Sequence, residues 1–238
     1  MKAMIFAAGL GTRLKPFTDK HPKALVIVNG KPLLQHNIEY LQQHGITNVI
    51  VNVHHFAAQI IEAVEQNNGW GSNVSISDET EEVLETGGGL KHATWYFKMV
   101  ENFVVMNADI LTDLDLSAMM LQHQQQKPLA TLAVSNRQSS RYFLFDDGNS
   151  LCGWMNDKTG EQRISKPAIT LHKKAFSGVH IINSKLLQLI TQQGKFSMVD
   201  VYLELAKTHT IQGFDHSDSK FIDVGKSENI VLAETMFY

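Results

Sequence analysis

Gly9-Leu10-Gly11-Thr12-Arg13 follows directly on the apolar run Met4 to Ala8, and Pro22-Lys23 comes soon after. A glycine-rich turn at the end of a buried strand lets backbone N–H groups approach phosphate oxygens that any Cβ would hold away. Arg13 adds a planar fork suited to bidentate oxygen contacts, and Lys23 a mobile point charge. Together these residues predict a polyphosphate site. A dinucleotide turn fits less well, because the sixth position of G-x-G-x-x-G is Leu14, where close helix packing wants Gly or Ala. No acid stands about 20 residues further on to take a ribose, and the Gly-Lys-Ser/Thr of a Walker A loop is absent. Read alone, the loop is either a phosphate cradle or a plain strand-to-helix turn.

Asp109 closes Asn107-Ala108-Asp109 after the apolar run Phe103 to Met106. An acid at the carboxyl end of a central parallel strand sits where such sheets hold their ligands, although an Asp there also serves as a turn former. Asp223, after Phe221-Ile222, reads as an acid that could cap the turn at Gly225. In Leu84-Glu85-Thr86-Gly87-Gly88-Gly89, three glycines ahead of a short helix over 91–97 predict a close backbone approach. Glu85 is there either a ligand contact or a solvated loop acid. His54-His55 do not read as metal ligands, since adjacent strand residues point to opposite faces. Asp113 and Asp115 read as helix N-terminal acids.

The elements that must position these residues alternate. Helical spacing runs through Leu33, Leu34, Ile38 and Leu41, with Pro32 in the first turn and Gly45 as a left-handed cap. Val49 to Val53 is of strand length, and Ile60, Ile61 and Val64 are again helically spaced. Strand, helix, strand, helix predicts an α/β fold: a doubly wound, Rossmann-like mixed sheet, mostly parallel and flanked by helices. Past the helix over 116–126 come shorter strands over 130–134, 142–146, 151–155 and 176–182, then helices over 184–191 and 198–207. The segments 211–214 and 221–223 close the sheet, and Ser227 caps a last helix over 228–236. The expectation is one domain over 1–238, with a nucleotide-binding half (1–112) and a more antiparallel sugar-phosphate-binding half (113–238).

Hydrophobic residues make up 43% of the 238 and charged residues 19%, an ordinary globular balance. No apolar run approaches the roughly 20 residues of a membrane span, and the N-terminus does not read as a signal peptide, so a cytoplasmic location is expected. The formal net charge of -3, without a Lys/Arg cluster beyond Lys173-Lys174, argues against a nucleic-acid partner. Phosphate must then be held by local loops and a metal ion. The single Cys152 forms no intrachain disulfide and reads as a small strand residue.

The strings Ala7-Ala8-Gly9-Leu10-Gly11-Thr12-Arg13-Leu14-Lys15-Pro16, Pro22-Lys23-Ala24-Leu25 and Gly30-Lys31-Pro32-Leu33 together resemble the signature of the sugar-1-phosphate nucleotidyltransferases. The resemblance continues through Leu84 to Gly89, Asn107 to Asp109 and Phe221 to Gly225, so it covers the chain. The version with Glu85-Thr86-Gly87-Gly88-Gly89 looks most like the uridylyltransferases that act on N-acetylmuramate 1-phosphate. The resemblance implies attack of a sugar 1-phosphate on the α-phosphorus of a nucleoside triphosphate, with Mg2+ as cofactor. It implies Asp109 and Asp223 as metal ligands, Arg13 on the β and γ phosphates, and Lys23 between the two reacting phosphates, with Arg13, Lys23 and Asp109 catalytic. Ala8, Gly9, Gly11 and Thr12 would lie against the nucleotide, as would Glu85, Gly87 and Gly88. Lys166 would meet the sugar phosphate, although the family's Glu-Lys-Pro is here Ser165-Lys166-Pro167; Phe221 likewise replaces a tryptophan common in the family. Guanylyl transfer to a mannose- or heptose-type 1-phosphate and cytidylyl transfer to phosphocholine share the opening motif. A nucleotide-sugar sensor without turnover is the reading from another class. A monomer or homodimer is expected.

Overall fold

The computed structural model describes residues 1–237. The chain opens with β1 (Lys2–Phe6), crosses the glycine loop, and makes a small ribbon from β2 (Ile27–Val28) and β3 (Lys31–Pro32) before α1 (Leu33–Gln43). There follow β4 (Asn48–Val53), α2 (Ala57–Gln66), β5 (Asn73–Asp78) and α3 (Glu85–His92). Next come β6 (Asn102–Asn107), β7 (Ile110–Thr112) and α4 (Leu116–Gln126). The later part holds β8 (Ala130–Ser135), β9 (Arg141–Phe145), β10 (Leu151–Asn156), β11 (Gln162–Ile164) and the long β12 (His172–Asn183). It ends with α5 (Lys185–Leu189), α6 (Met198–Leu205), β13 (Ile211–Asp215), β14 (Phe221–Asp223) and α7 (Ser227–Met236).

The main sheet runs β11-β10-β9-β12-β6-β1-β4-β5, with β8 on β12 and β13 on β8. The strands β6, β1, β4 and β5 are mutually parallel, whereas β12 is antiparallel to β6, β8 and β9. The expected α/β mixed sheet is therefore present, and its antiparallel part lies where the shorter strands were read. Along β1, Ala3 and Ile5 pack with α1 and α2 residues such as Leu34, Ile38 and Ile60. Met4 packs on the other side with Leu90, Phe97 and Tyr202. Burial on both faces is why β1 reads as one continuous apolar run.

Two sequence expectations are corrected. Phe221 to Asp223 does not close the main sheet; β14 forms a separate antiparallel ribbon with β7, pairing Asp223 with Ile110. Ile222 and Val224 pack there with Leu14, Val28 and Leu111. Ser227 does not cap α7 with its side chain. Asp115, by contrast, does cap α4, its carboxylate accepting from Ala118 N at 2.9 Å.

Two histidines buried in the sheet layers make stability pH-dependent. His123 lies between Thr131 Oγ1 (2.8 Å) and Asn102 Oδ1 (3.1 Å), and burial lowers its pKa to about 4. His180 bonds Tyr202 Oη at 2.5 Å, its Nε2 has no partner, and burial lowers its pKa to about 3. Depressed histidine pKa values leave stability full above the unfolded value of about 6.5 and erode it as pH falls toward the folded values. Each histidine should cost roughly 2 kcal/mol between pH 7 and pH 5. Urea unfolding at the two pH values checks this, and His123→Gln should flatten the dependence. A pH dependence undiminished in His123→Gln would contradict it.

Candidate active site

The glycine loop is anchored from below by a chain of buried polar groups. Ala7 N donates to Asn52 Oδ1 at 2.8 Å, and Asn52 Nδ2 donates to Glu79 Oε1 at 2.8 Å. Burial raises the pKa of the Glu79 carboxyl, and its second oxygen has no partner. β4 and β5 thus hold the exit of β1 in place through their own C-terminal ends. Gly11 lies in the left-handed region (φ 62°), where its carbonyl accepts from Leu14 N and Thr18 Oγ1, both at 2.9 Å. A Cβ here would stand 2.7 Å from Thr18 Cγ2 and 3.2 Å from Lys23 Cβ. Glycine is what allows the Pro22-Lys23 segment to tuck under the loop. Among the described residues, the amides of Ala8, Gly9 and Gly11 have no acceptor.

Lys23 is the centre of the arrangement. Its ammonium is hydrogen-bonded to Asp109 Oδ2 and lies 3.7 Å from Asp223 Oδ1, while Arg13 lies 3.8 Å from Asp223 Oδ2. Asp109 is fixed by the turn that carries it: Ala108 N donates to Phe6 O (3.0 Å), Asn37 of α1 donates to Ala108 O (2.9 Å), and Val224 N donates to Asp109 O (2.8 Å). The β7–β14 ribbon brings Asp223 beside Asp109 across more than a hundred residues of sequence. Burial, and then the Asp109 charge, push the Asp223 carboxyl above its ordinary range, while Lys23, Arg13 and Arg137 pull the other way.

The two carboxylates suit a divalent cation. Asp223 Oδ1 is buried without a hydrogen-bond partner, and it faces Asp109 across an ammonium that already occupies the point between them. Magnesium takes one or two protein carboxylates when phosphate oxygens and water complete its shell. Among the described residues no group of three or more His, Cys, Asp or Glu side chains converges to hold a metal alone, so such a cation would depend on a phosphate partner.

Above these groups opens a cavity of about 630 Å³. Of the residues singled out in the sequence, Ala8, Gly9, Gly11, Thr12, Arg13, Lys23, Glu85 and Asp109 line it. Asp223 lies just behind, touching Arg13 and Lys23. Glu85 starts α3 with φ 58° and lies 3.7 Å from Lys195. A non-glycine residue in that region is strained, and the surroundings hold it there: Gly87 N and Gly88 N both donate to Phe196 O (2.9 and 3.2 Å) and Met198 N donates to Thr86 Oγ1 (2.9 Å).

Gly87, Gly88 and Lys166 are not brought to the cavity. The three glycines lie inside α3, not ahead of it, and the close approach they permit is by protein. A Cβ on Gly87 would overlap the Phe196 ring, and one on Gly88 would overlap Gly194 O. Lys166 sits 3.9 Å from Asp146 Oδ2, past the end of β9 that lies away from Arg141. Residues missed in the sequence take part instead: Asn52, Arg141, Lys195 and Ser197 line the cavity. Asn52 interrupts the apolar strand Val49 to Val53 beside the loop and could have been found; nothing local marks the other three.

Gly88→Ala tests the packing role. Alanine favours a helix interior by about 1 kcal/mol, but the overpacked Cβ should cost roughly 1–3 kcal/mol. The melting temperature should therefore fall. A rise would show that α3 tolerates the methyl group.

Residues 2–236 match the family described as nucleotidyl transferase. The N-acetylmuramate alpha-1-phosphate uridylyltransferase of Neisseria meningitidis serogroup B is 41% identical over 118 residues, 50% of this chain and 51% of that protein. The UTP–glucose-1-phosphate uridylyltransferase of Synechocystis sp. is 27% identical over 241 residues, 95% of this chain and 60% of that protein. The chain thus spans less than two thirds of the length of these curated relatives. Among solved structures, HddC from Yersinia pseudotuberculosis complexed with GMP-PN superposes with a TM-score of 0.79 at 27% identity, covering 100% of this chain and 99% of that one.

Proposed function

The chain belongs to the nucleotidyl transferase family, and from that premise we propose that it transfers uridylyl from UTP to a sugar 1-phosphate of N-acetylmuramate or hexosamine type. One observation carries the reading: Lys23 is held beneath the glycine loop between Asp109 and Asp223, with Arg13 alongside. Reacting phosphates placed over that cluster would meet two cations and two metal-binding carboxylates at once. A sensor that had lost turnover would not need all four.

The attacking sugar phosphate is already an anion at neutral pH, so no general base is required. One of its oxygens bonds to the α-phosphorus, the bond from that phosphorus to the bridging oxygen of the leaving group breaks, and pyrophosphate departs with the electron pair. The barrier is repulsion between two anions plus charge building on the leaving group, and positioning with charge neutralisation answers both. The amides of Ala8, Gly9 and Gly11 would take phosphate oxygens, Thr12 would lie against the nucleotide, and Arg13 would hold the β and γ phosphates. Lys23 would turn from the carboxylates to bridge the α-phosphate and the incoming sugar phosphate. Asp109 and Asp223 would hold magnesium, which supplies Lewis-acid neutralisation of phosphate oxygens. Glu85 and Thr86 would face the nucleoside.

On this reading residues 1–112 form the nucleotide-binding half and 113–238 the sugar-phosphate half of one domain, with Asp223 crossing over to complete the metal site. Among the described residues no helix is long and apolar enough to cross a membrane; on this reading the reaction is taken to be cytoplasmic. A second reading, guanylyl transfer to a mannose- or heptose-type 1-phosphate, draws support from the full-length likeness to a protein solved with GMP-PN. The 41% identity to an N-acetylmuramate alpha-1-phosphate uridylyltransferase favours the first. Pyrophosphate release, followed with magnesium across a panel of nucleoside triphosphates and sugar 1-phosphates, separates them. UTP with N-acetylmuramate 1-phosphate should give the highest kcat/KM. Preference for GTP would replace the first reading by the second, and no release with any pair would favour the sensor.

A further inference from the structure

The chain has four arginines, and three are engaged within the protein. Arg13 pairs with Asp223, and Arg163 with Asp200 at 2.7 Å. Arg137 donates to Phe176 O at 2.5 Å and lies over the Phe221 ring. Arg141 alone has no side-chain hydrogen bond or ion pair among the described residues, and it lines the cavity.

Its backbone is nevertheless fixed. Arg141 N donates to Ser139 Oγ (3.3 Å), Ser139 N donates to Tyr142 Oη (2.7 Å), and Asp157 N donates to Ser140 O (2.9 Å). The residue also opens β9, which is hydrogen-bonded to β10 on one side and β12 on the other. A guanidinium with no partner in the protein, its planar fork matched to carboxylate and phosphate geometry, is free to take an anion supplied from outside.

The position narrows what that anion is. Arg13 and Lys23 already serve the phosphates at the glycine-loop end of the cavity. Arg141 and Lys195 come from the other half of the chain, and Lys195 has its own partner in Glu85. One positive charge is therefore left over beyond those the transferring phosphates engage. A neutral sugar would leave it facing water. A carboxylate on the sugar ring would take it in a bidentate, charge-assisted pair.

We propose that Arg141 is the specificity residue of this site, selecting sugar 1-phosphates that carry a carboxylate over their neutral counterparts. The inference rests on the nucleotidyl-transfer reading and says what that reading leaves open, the residue that reads the sugar. Lys166, which the family resemblance implies for the sugar phosphate, lies 3.9 Å from Asp146 Oδ2.

The test compares N-acetylmuramate 1-phosphate with N-acetylglucosamine 1-phosphate, which differ by the O-linked lactyl group that carries the carboxylate, using whichever nucleoside triphosphate the wild type turns over. The wild type should prefer the acidic sugar. In Arg141→Gln the ratio of the two kcat/KM values should fall on the order of 10- to 100-fold, the range for losing a charged hydrogen bond, and Arg141→Lys should recover part of it. An equal fall for both sugars would make Arg141 a phosphate contact and overturn the proposal, as would no change for either. Should the wild type turn over no pair, nucleotidyl transfer itself fails. Arg141 is then judged by calorimetric binding of UDP-N-acetylmuramate against UDP-N-acetylglucosamine, where the same ratio should shift, and an unchanged ratio overturns the proposal.

Discussion

Asp109→Asn should lower kcat by on the order of 10² or more, as removal of one preorganised charge-stabilising group does elsewhere. Asparagine matches the shape and leaves the turn intact, because the bonds that hold it, from Ala108 N to Phe6 O and from Val224 N to Asp109 O, are made by backbone. What disappears is one negative charge facing Asp223 and bonded to Lys23. The variant should fold normally, and its dependence on magnesium concentration should shift upward together with the loss in rate. Steady-state kinetics over a magnesium titration reads both. Normal turnover would remove Asp109 from the metal site.

Lys23→Met should cost a similar factor, for a different reason. Methionine keeps the stem that packs near Gly11 but deletes the ammonium between the carboxylates. Uniform loss of binding would raise KM alone; loss of a contact made to the reacting phosphates in the transition state lowers kcat and kcat/KM together. The second pattern is expected. Without the ammonium, Asp109 and Asp223 face one another unscreened, so the variant should melt lower than the wild type in a chelator. Magnesium should restore more of its melting temperature than it adds to the wild type, because a ligand that binds the folded state stabilises it by mass action. Near-normal rates would make Lys23 a structural counter-ion only.

The phosphate end of the site was legible because its chemistry is local. The glycine loop and Arg13 follow β1 and Asp109 follows β6, where backbone conformation and charge act over short range, whereas Lys23 stands farther along and is singled out by its pairing with Pro22 and by the family signature. Asp223 was legible only through the family resemblance, since its partner ribbon joins β7 to β14 across more than a hundred residues. The glycines 87–89 signal a close approach but not what approaches; here it is Phe196 at Gly87, Gly194 at Gly88 and the Glu79 and Asn52 side chains at Gly89. Arg141 and Lys195 carry no local signal at all. Their place at the cavity comes from where β9 and the segment before α6 are folded, and an exposed basic residue in sequence looks like any other. The alternation that predicted the parallel sheet was readable from periodicity, whereas the β14 ribbon is too short to show one.

The most direct test of the central claim runs the reaction backward. Exchange of one phosphoanhydride for another is close to balanced, so UDP-N-acetylmuramate and pyrophosphate, given magnesium, should yield UTP and N-acetylmuramate 1-phosphate in equal amounts. The rate should collapse in both Asp109→Asn and Lys23→Met. If the wild type forms no nucleoside triphosphate from this or from GDP-mannose, the nucleotide sugar of the second reading, or if the two variants form it as fast as the wild type, the site assigned around Lys23 is not where nucleotidyl transfer takes place.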